Sequence, residues 1–388
     1  LCTHIKDRSV GSEGNRAATD FFQNELYSLG WNTQTPEFDV VDWKSGGAEL
    51  RAGGADFEVL PSPYSLGCSI TAELASASNI SELENGDFRD KLLFVYGPLA
   101  REQLMPKNFV FYNPKEHQKI VSLLEKSGAG ALICATGRNG AVAGGVSPFP
   151  LIEDGDFDTP SVYMTEEDGR NLLQFVGKKV SLQSRSERIP SKACNVIGRK
   201  GQEGAQRIVI TAHIDAKKGT PGAIDNATGV TTLLLLADLL NDYSGPKLLE
   251  IVAFNGEDYY SVPGQMNYIM SNQGRFDEIL VDINIDGAGY KEGNSAVSFY
   301  ELPQKMIDLV RKELETCPTV MEGEKWPQGD HSIFLHYGIP AIAATSDWLI
   351  NNIEAQSITH TAKDNVEIVD SEKLVELARM LAGVVKKI

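Results

Sequence analysis

Residues 207–241 read RIVITAHIDAKKGTPGAIDNATGVTTLLLLADLLN, and this stretch indicates the fold class. An apolar run over 207–212 is followed by a polar loop and then by a helix-like apolar segment over 229–241. The alternation continues downstream, with strand-like runs at 248–254, 279–285 and 341–344 and helix-like segments at 264–272, 303–315 and 371–387. Strands that alternate with helices are typical of βαβ units in a parallel sheet. We therefore predict an α/β fold with a mixed, largely parallel sheet flanked by helices.

The pattern is different upstream of residue 193. Residues 12–29 have the apolar spacing of an amphipathic helix, with Ser12 as its N-cap. Between 46 and 185, short apolar runs are separated by Gly- and Pro-rich loops, with one helix-like stretch over 114–127. The strand-like runs of this region lie at 92–96, 131–135 and 161–164. This pattern of short apolar runs and loops predicts a separate β-rich unit.

Length and composition exclude several classes of protein. A chain of 388 residues is long enough for two or three domains. The formal net charge of −17 repels nucleic-acid phosphates and anionic membrane surfaces, so we expect neither as a partner. The longest apolar stretch, near 230–240, is shorter than the roughly 20 residues that span a bilayer.

Five cysteines, an odd number without a C-x-x-C pair, favour a reducing, cytoplasmic environment over a secreted one. Because the sequence begins at Leu1, we expect residues upstream of it, and the sequence does not indicate whether they include a signal peptide.

Polar side chains follow three of the predicted strands. Ligands of parallel sheets collect outside the carboxyl ends of the strands, so these side chains are expected to meet in one pocket. The residues at these ends are His213, Asp215, Glu257, Asp258 and Asp286. Asp225, at the start of the helix that follows the first of these strands, and His360, in the loop before the last helix, complete the set.

So many carboxylates at one sheet edge would repel each other unless cations neutralise them. Two divalent ions with three ligand residues each, one of them shared, need five ligand residues. Imidazoles and carboxylates on each side of a shared aspartate suit zinc. The set of polar residues therefore predicts a site for two zinc ions.

The order of these motifs resembles that of the co-catalytic two-zinc aminopeptidase family. The motifs that carry the resemblance are 213–215 (HID), 222–227 (GAIDNA), 254–258 (FNGED), 286–287 (DG) and 360–364 (HTAKD). The segment 8–12 (RSVGS) with Asn15, and 329–331 (GDH) with Phe334, are also similar to the family. The family includes bacterial leucine aminopeptidases, glutamate carboxypeptidase, glutaminyl cyclases and the inactive transferrin receptor ectodomain.

The resemblance implies a domain organisation of the zinc-exopeptidase type. The catalytic domain would comprise residues 1–45 and 187–388. The block 46–186 resembles a protease-associated domain, a β-rich module often inserted in this family, through its segments 91–96, 127–133 and 159–169.

The resemblance also implies a role for each matching ligand. His213 and Asp286 would bind one zinc ion, and Asp258 and His360 would bind the other. Asp225 would bridge the two ions.

Four further residues are expected to support the reaction. Glu257 would be the general base that takes a proton from the attacking water. Asp215 would accept a hydrogen bond from the far nitrogen of His213 and so orient the ring. We expect His331 and Tyr259 to bind substrate or to support the ligands.

The chain departs from the family pattern at two positions. Asp258 stands where many members have glutamate, a change that shortens the ligand and could weaken or retune that site. Thr359 stands where several aminopeptidases have a tyrosine that stabilises the oxyanion. The remaining candidates for that task are Tyr259, Tyr260 and His331.

These observations predict a zinc-dependent exopeptidase, an aminopeptidase that acts on the N-terminal residues of peptides. Three alternatives stay open at this point: a glutaminyl-cyclase-like acyltransferase with one zinc, a carboxypeptidase or dipeptidase of the same fold, and an inactive binding homologue. The sequence indicates neither the oligomeric state nor the preferred side chain of the substrate.

Overall fold

The computed structural model describes residues 1–5, 7–109, 113–136, 150–326, 329–352 and 357–388. The helices are α1 (Glu13–Ser28), α2 (Ile80–Asn85), α3 (Lys115–Lys126), α4 (Glu166–Leu172), α5 (Thr228–Leu239), α6 (Pro263–Ser271), α7 (Gln304–Leu314), α8 (His331–His336), α9 (Asp347–Asn352) and α10 (Ser371–Lys387). None of these described helices combines the length and the apolar composition needed to cross a bilayer.

The strands are β1 (Asn32–Gln34), β2 (Glu37–Ala52), β3 (Ala55–Phe57), β4 (Leu60–Pro61), β5 (Cys68–Ala77), β6 (Leu92–Val95), β7 (Ala131–Ala135), β8 (Ser161–Met164), β9 (Lys179–Cys194), β10 (Val196–Gly201), β11 (Arg207–His213), β12 (Leu248–Phe254), β13 (Ile279–Ile285), β14 (Ser295–Tyr300), β15 (Val320–Glu322) and β16 (Ala341–Ser346). The chain divides into two compact units, one formed by Leu1–Val40 and Lys192–Ile388 and the other by Val41–Ser191.

The first unit contains an eight-stranded sheet in the order β1-β10-β12-β11-β13-β16-β14-β15. Its four central strands, β12, β11, β13 and β16, are parallel to their neighbours within this group. The pairings β1–β10, β10–β12 and β14–β16 are antiparallel. The predicted mixed, largely parallel sheet is thus confirmed.

Helices cover both faces of this sheet. Apolar side chains of α1, α5, α7 and α10 form one buried cluster with alternate residues of the central strands, among them Ile210, Ile251 and Ile283. On the opposite face, Tyr268 of α6 packs edge-on against Phe254, with ring centroids 5.2 Å apart, and also contacts Phe334 of α8. The central strands are therefore buried on both sides, which explains their nearly continuous apolar sequences.

The second unit is built on a β-rich sheet in which β5, β6, β7 and β8 are parallel in sequence order. Leu93 and Val95 of β6 point into one core with side chains of α3, and Leu92 and Phe94 point into another core with Leu172 of α4. The predicted strands of this unit and its longest described helix, α3, are confirmed.

Candidate metal centre

Three of the four central strands of the first unit, β11, β12 and β13, carry candidate ligands at the same edge of the sheet. His213 is the last residue of β11, Glu257 and Asp258 follow β12, and Asp286 directly follows β13. Because β11 is parallel to both β12 and β13, their carboxyl ends lie side by side. The topology therefore brings these side chains to one place.

Two imidazoles lie on opposite sides of a single carboxylate. His213 Nε2 lies 3.1 Å from Asp225 Oδ1, and His360 Nε2 lies 3.2 Å from Asp225 Oδ2. His213 Nε2 is also 3.6 Å from Asp286 Oδ1, and His360 Nε2 is 3.0 Å from Asp258 Oδ1. The five side chains thus form two groups of potential ligands, His213 with Asp286 and His360 with Asp258, that share Asp225.

The spacing and chemistry of these atoms fit divalent zinc. Ligands on a tetrahedral zinc ion with bonds of about 2.0 Å lie about 3.3 Å from one another, close to the separations found here. Asp258 Oδ2 and His213 Nε2 are buried and have no hydrogen-bond partner among the described residues. Buried polar atoms of this kind are usually satisfied, and a cation would satisfy both.

The charges at the centre strongly affect its pKa values. Burial opposes the charged form of His360, but the carboxylates of Asp258 and Asp225 outweigh it and raise the pKa of His360 to about 10. Burial likewise opposes a charged His213, whose pKa is nevertheless held well above its usual range, chiefly by Asp286. Burial works against the carboxylate of Asp225, yet the two imidazoles hold its pKa well below the usual range. The arrangement therefore stabilises positive charge on both sides of Asp225.

Glu257 lies beside the same centre. One oxygen of Glu257 is within 4.8 Å of ligand atoms of both His213 and Asp258. Burial raises the pKa of Glu257 well above its usual range, and the neighbouring Asp258 and Asp286 add to this effect. A buried carboxylate with a raised pKa is a stronger base than an exposed one.

The turn that carries Asp225 is held by the loop that carries His360. Asp364 Oδ1 accepts a hydrogen bond from the backbone N–H of Ile224 at 2.7 Å, and its Oδ2 accepts one from the N–H of Asp225 at 3.1 Å. On the other side, Asn226 Nδ2 donates to the carbonyl of Ile285, next to Asp286. Asp364 and Asn226 therefore tie three ligand-bearing segments together. Both residues lie within the family-like motifs, but the sequence indicates no role for either, because their partners are backbone groups.

Asp215 supports a different segment from the one expected. Its Oδ1 lies 3.7 Å from His213 Nδ1, too far for a hydrogen bond. Instead its carboxylate accepts hydrogen bonds from the backbone N–H groups of Gly256, at 2.7 Å, and Asp258, at 3.0 Å. It also accepts a 3.3 Å hydrogen bond from the N–H of Glu257. Asp215 thus positions the segment that carries the candidate base and one ligand.

The remaining expected site residues are buried among aromatic rings. Tyr259 packs against Tyr260, with ring centroids 4.4 Å apart and the ring planes tilted by 41°. His331 packs against Tyr300 and Trp326, with centroids 4.6 and 4.7 Å away. Burial lowers the pKa of His331 to about 4, so its ring is neutral at pH 7.

The sequence of the first unit matches a known family. Residues 195–385 match the model of peptidase family M28. These residues, just under half of the chain, are therefore similar to those of an M28 peptidase. The similarity supports assignment to the metallopeptidases, a class of hydrolases.

One relative of this chain is the probable lipoprotein aminopeptidase LpqL of Mycobacterium tuberculosis. The two are 29% identical over 271 residues, which cover 68% of this chain and 51% of LpqL. The chain therefore spans about half the length of LpqL.

Two solved structures share the fold of this chain. The aminopeptidase from Aneurinibacillus sp. strain AM-1 superposes with a TM-score of 0.77 at 20% identity, covering 100% of this chain and 92% of the other. BSAP, a zinc aminopeptidase from Bacillus subtilis, superposes with a TM-score of 0.74 at 19% identity, with the same two coverages. Both likenesses confirm the predicted α/β fold.

Proposed function

We propose that the protein is a zinc aminopeptidase in which two metal ions share Asp225. The observation that carries this proposal is the placement of the Asp225 carboxylate, whose two oxygens face the imidazoles of His213 and His360 separately. A carboxylate whose two oxygens each face a different imidazole can bind one ion through each oxygen and so bridge the two ions.

Each ion would have its own pair of ligands besides the bridge. His213 and Asp286 would hold one zinc ion, and His360 and Asp258 the other. When bound, such ions lower the pKa of a water molecule and polarise the carbonyl of the scissile peptide bond.

Glu257 would move the proton during hydrolysis. Its carboxylate lies beside both ligand groups and has a raised pKa, so it can take a proton from water and hold it for the leaving amine. Asp215 keeps Glu257 in place through the backbone hydrogen bonds of the segment that follows β12. The half-buried position of Glu257 strengthens the interaction of this base with the reacting atoms.

The names of the relatives support an action on N-terminal residues. LpqL is a probable lipoprotein aminopeptidase, and both of the superposed structures are aminopeptidases. We therefore propose peptides with a free α-amino group as substrates.

For the second unit, we propose a protease-associated-like domain inserted in the catalytic domain. The parallel strands β5 to β8 and the flanking helices α2, α3 and α4 support this proposal. The domain boundaries that we propose remain residues 46–186 for the insertion and 1–45 with 187–388 for the catalytic domain.

The proposed function is tested by hydrolysis of aminoacyl-p-nitroanilides, with N-acetylated versions of the same compounds as controls. The zinc-loaded wild type should cleave only the compounds with a free amine. Glu257→Gln should lose activity by a factor of about 100 to 10,000, the usual contribution of a general base, while it keeps its metal. No hydrolysis of any compound by zinc-loaded wild type, or full activity in Glu257→Gln, would overturn the proposal.

A further inference from the structure

A buried arginine near the N-terminus binds the loop between two of the proposed ligands. The side chain of Arg8 is 1% exposed. Its Nε donates a hydrogen bond to the carbonyl of Ile214 at 3.1 Å, Nη1 donates to that of Pro221 at 2.8 Å, and Nη2 donates to that of Gly222 at 2.7 Å. One guanidinium group thus joins the two ends of the loop 214–222.

This loop connects His213 to Asp225. Ile214 directly follows His213, and Gly222 precedes Asp225 by three residues. A planar group with several donors in fixed directions sets the distance between the carbonyls it binds. Arg8 therefore fixes the start of the Asp225 turn relative to the end of β11.

A pair of buried asparagines contacts the segment that carries the proposed ligand Asp258. Asn15 Nδ2 donates to Asn255 Oδ1 at 2.8 Å, and Asn255 Nδ2 donates to Asn15 Oδ1 at 2.9 Å. Both side chains are 0% exposed, and Asn255 precedes Asp258 by three residues. Asn15 Nδ2 also donates to the backbone carbonyl of Arg8 at 3.0 Å, so the two contacts belong to one rigid segment.

We propose that the segment Asp7–Asn15 is a positioning element that sets the relative placement of the two metal-binding groups. Arg8 positions the shared ligand Asp225, and Asn15 positions the segment of Glu257 and Asp258. Both are positioning residues, because they act through backbone groups and through Asn255. This inference rests on the proposed function, since it requires that the two groups bind metal.

The two contacts predict different effects on zinc binding. Arg8→Gln releases at least one of the three carbonyls and disturbs Asp225, so it should weaken both ions. Asn15→Ala removes the two hydrogen bonds between the side chains of Asn15 and Asn255 and should weaken mainly the ion held by Asp258. Residues that orient metal ligands usually contribute a factor of about 10 to 100 to metal affinity, and we expect losses of that size.

The measurement is a zinc titration of the metal-free full chain against a chromogenic chelator, combined with the melting temperature of the metal-free protein. Arg207→Gln is the matched control. Arg207 is also a 1% exposed arginine of the first unit, and its contacts are with Glu250, Glu278 and the carbonyl of Arg275. It should lower the melting temperature without changing either zinc dissociation constant.

If Arg8→Gln or Asn15→Ala does not fold, the milder variants Arg8→Lys and Asn15→Ser replace them in the same zinc titration. Weaker zinc binding in the Arg8 and Asn15 variants, with wild-type zinc binding in the control, supports the inference. If wild type binds two ions and the variants bind them equally tightly, the inference is wrong and the proposed function stands. If wild type binds no zinc, the proposed metal site itself fails.

Discussion

Gly222 lies at a point of the Asp225 turn where a side chain cannot fit. Its φ is +57°, and a Cβ added there would lie 2.6 Å from the Asp225 carbonyl oxygen and 2.8 Å from Arg8 Nη2. Gly219, in the same loop, has a φ of +82° but nothing within 4 Å of an added Cβ. The pair Gly222→Ala and Gly219→Ala therefore separates the cost of the close contacts from the cost of the backbone conformation.

An alanine with positive φ costs about 1 kcal/mol at either position. Overpacking adds about 1–3 kcal/mol at position 222 alone. We thus expect the free energy of unfolding of Gly222→Ala to be lower than that of Gly219→Ala by about 1–3 kcal/mol in urea titrations of the metal-free protein. With zinc present the gap should widen, because a displaced Asp225 binds metal less tightly and the folded state gains less from it. Equal stability of the two variants, within about 0.5 kcal/mol, would refute the reasoning.

Three further outcomes follow from the same structure. A chelator should lower the melting temperature of wild type, and zinc should restore it, because the ions bind only the folded protein; an unchanged melting temperature would contradict the metal site. Asp282 is fully buried and accepts a hydrogen bond from Thr211, and burial raises its pKa well above the usual range. The folded protein therefore keeps this carboxyl group protonated after it has ionised in the unfolded chain, so the free energy of unfolding falls as the pH rises. Asp282→Asn should therefore gain stability relative to wild type between pH 5 and pH 8, and a difference that is constant with pH would exclude this account. Glu250→Gln should lower the free energy of unfolding by about 3–5 kcal/mol, because Arg207 loses its buried carboxylate partner and keeps only the more exposed Glu278; a loss below about 1 kcal/mol would show that Glu278 is sufficient to compensate Arg207.

The strands that the sequence predicts are those with long apolar runs. The runs of β11, β12 and β13 were predictable because burial on both faces requires apolar side chains at successive positions. The strand β10, Val196–Gly201, was not predicted because a glycine and two charged residues interrupt its apolar character. The short helices α8 and α9 were also missed, because six residues are too few for a helical periodicity to show.

Three of the candidate ligands, His213, Asp258 and Asp286, could be predicted from topology because they lie at or just after strand ends, where a parallel sheet gathers side chains. The contacts that hold these ligands in place could not be predicted from the sequence. Arg8 and Asp364 bind backbone carbonyls and N–H groups that every residue possesses, so no residue type at the partner position indicates the contact. The expected hydrogen bond between Asp215 and His213 illustrates the same limit, because Asp215 binds three backbone N–H groups instead.

The proposed function depends on two metal ions that share the carboxylate of Asp225. The decisive measurement is elemental analysis of the zinc-saturated, gel-filtered protein, for wild type and Asp225→Asn side by side. We expect two zinc ions per chain in wild type and the loss of both from Asp225→Asn. A wild type that holds only one ion, or an Asp225→Asn variant that still holds two, would contradict it.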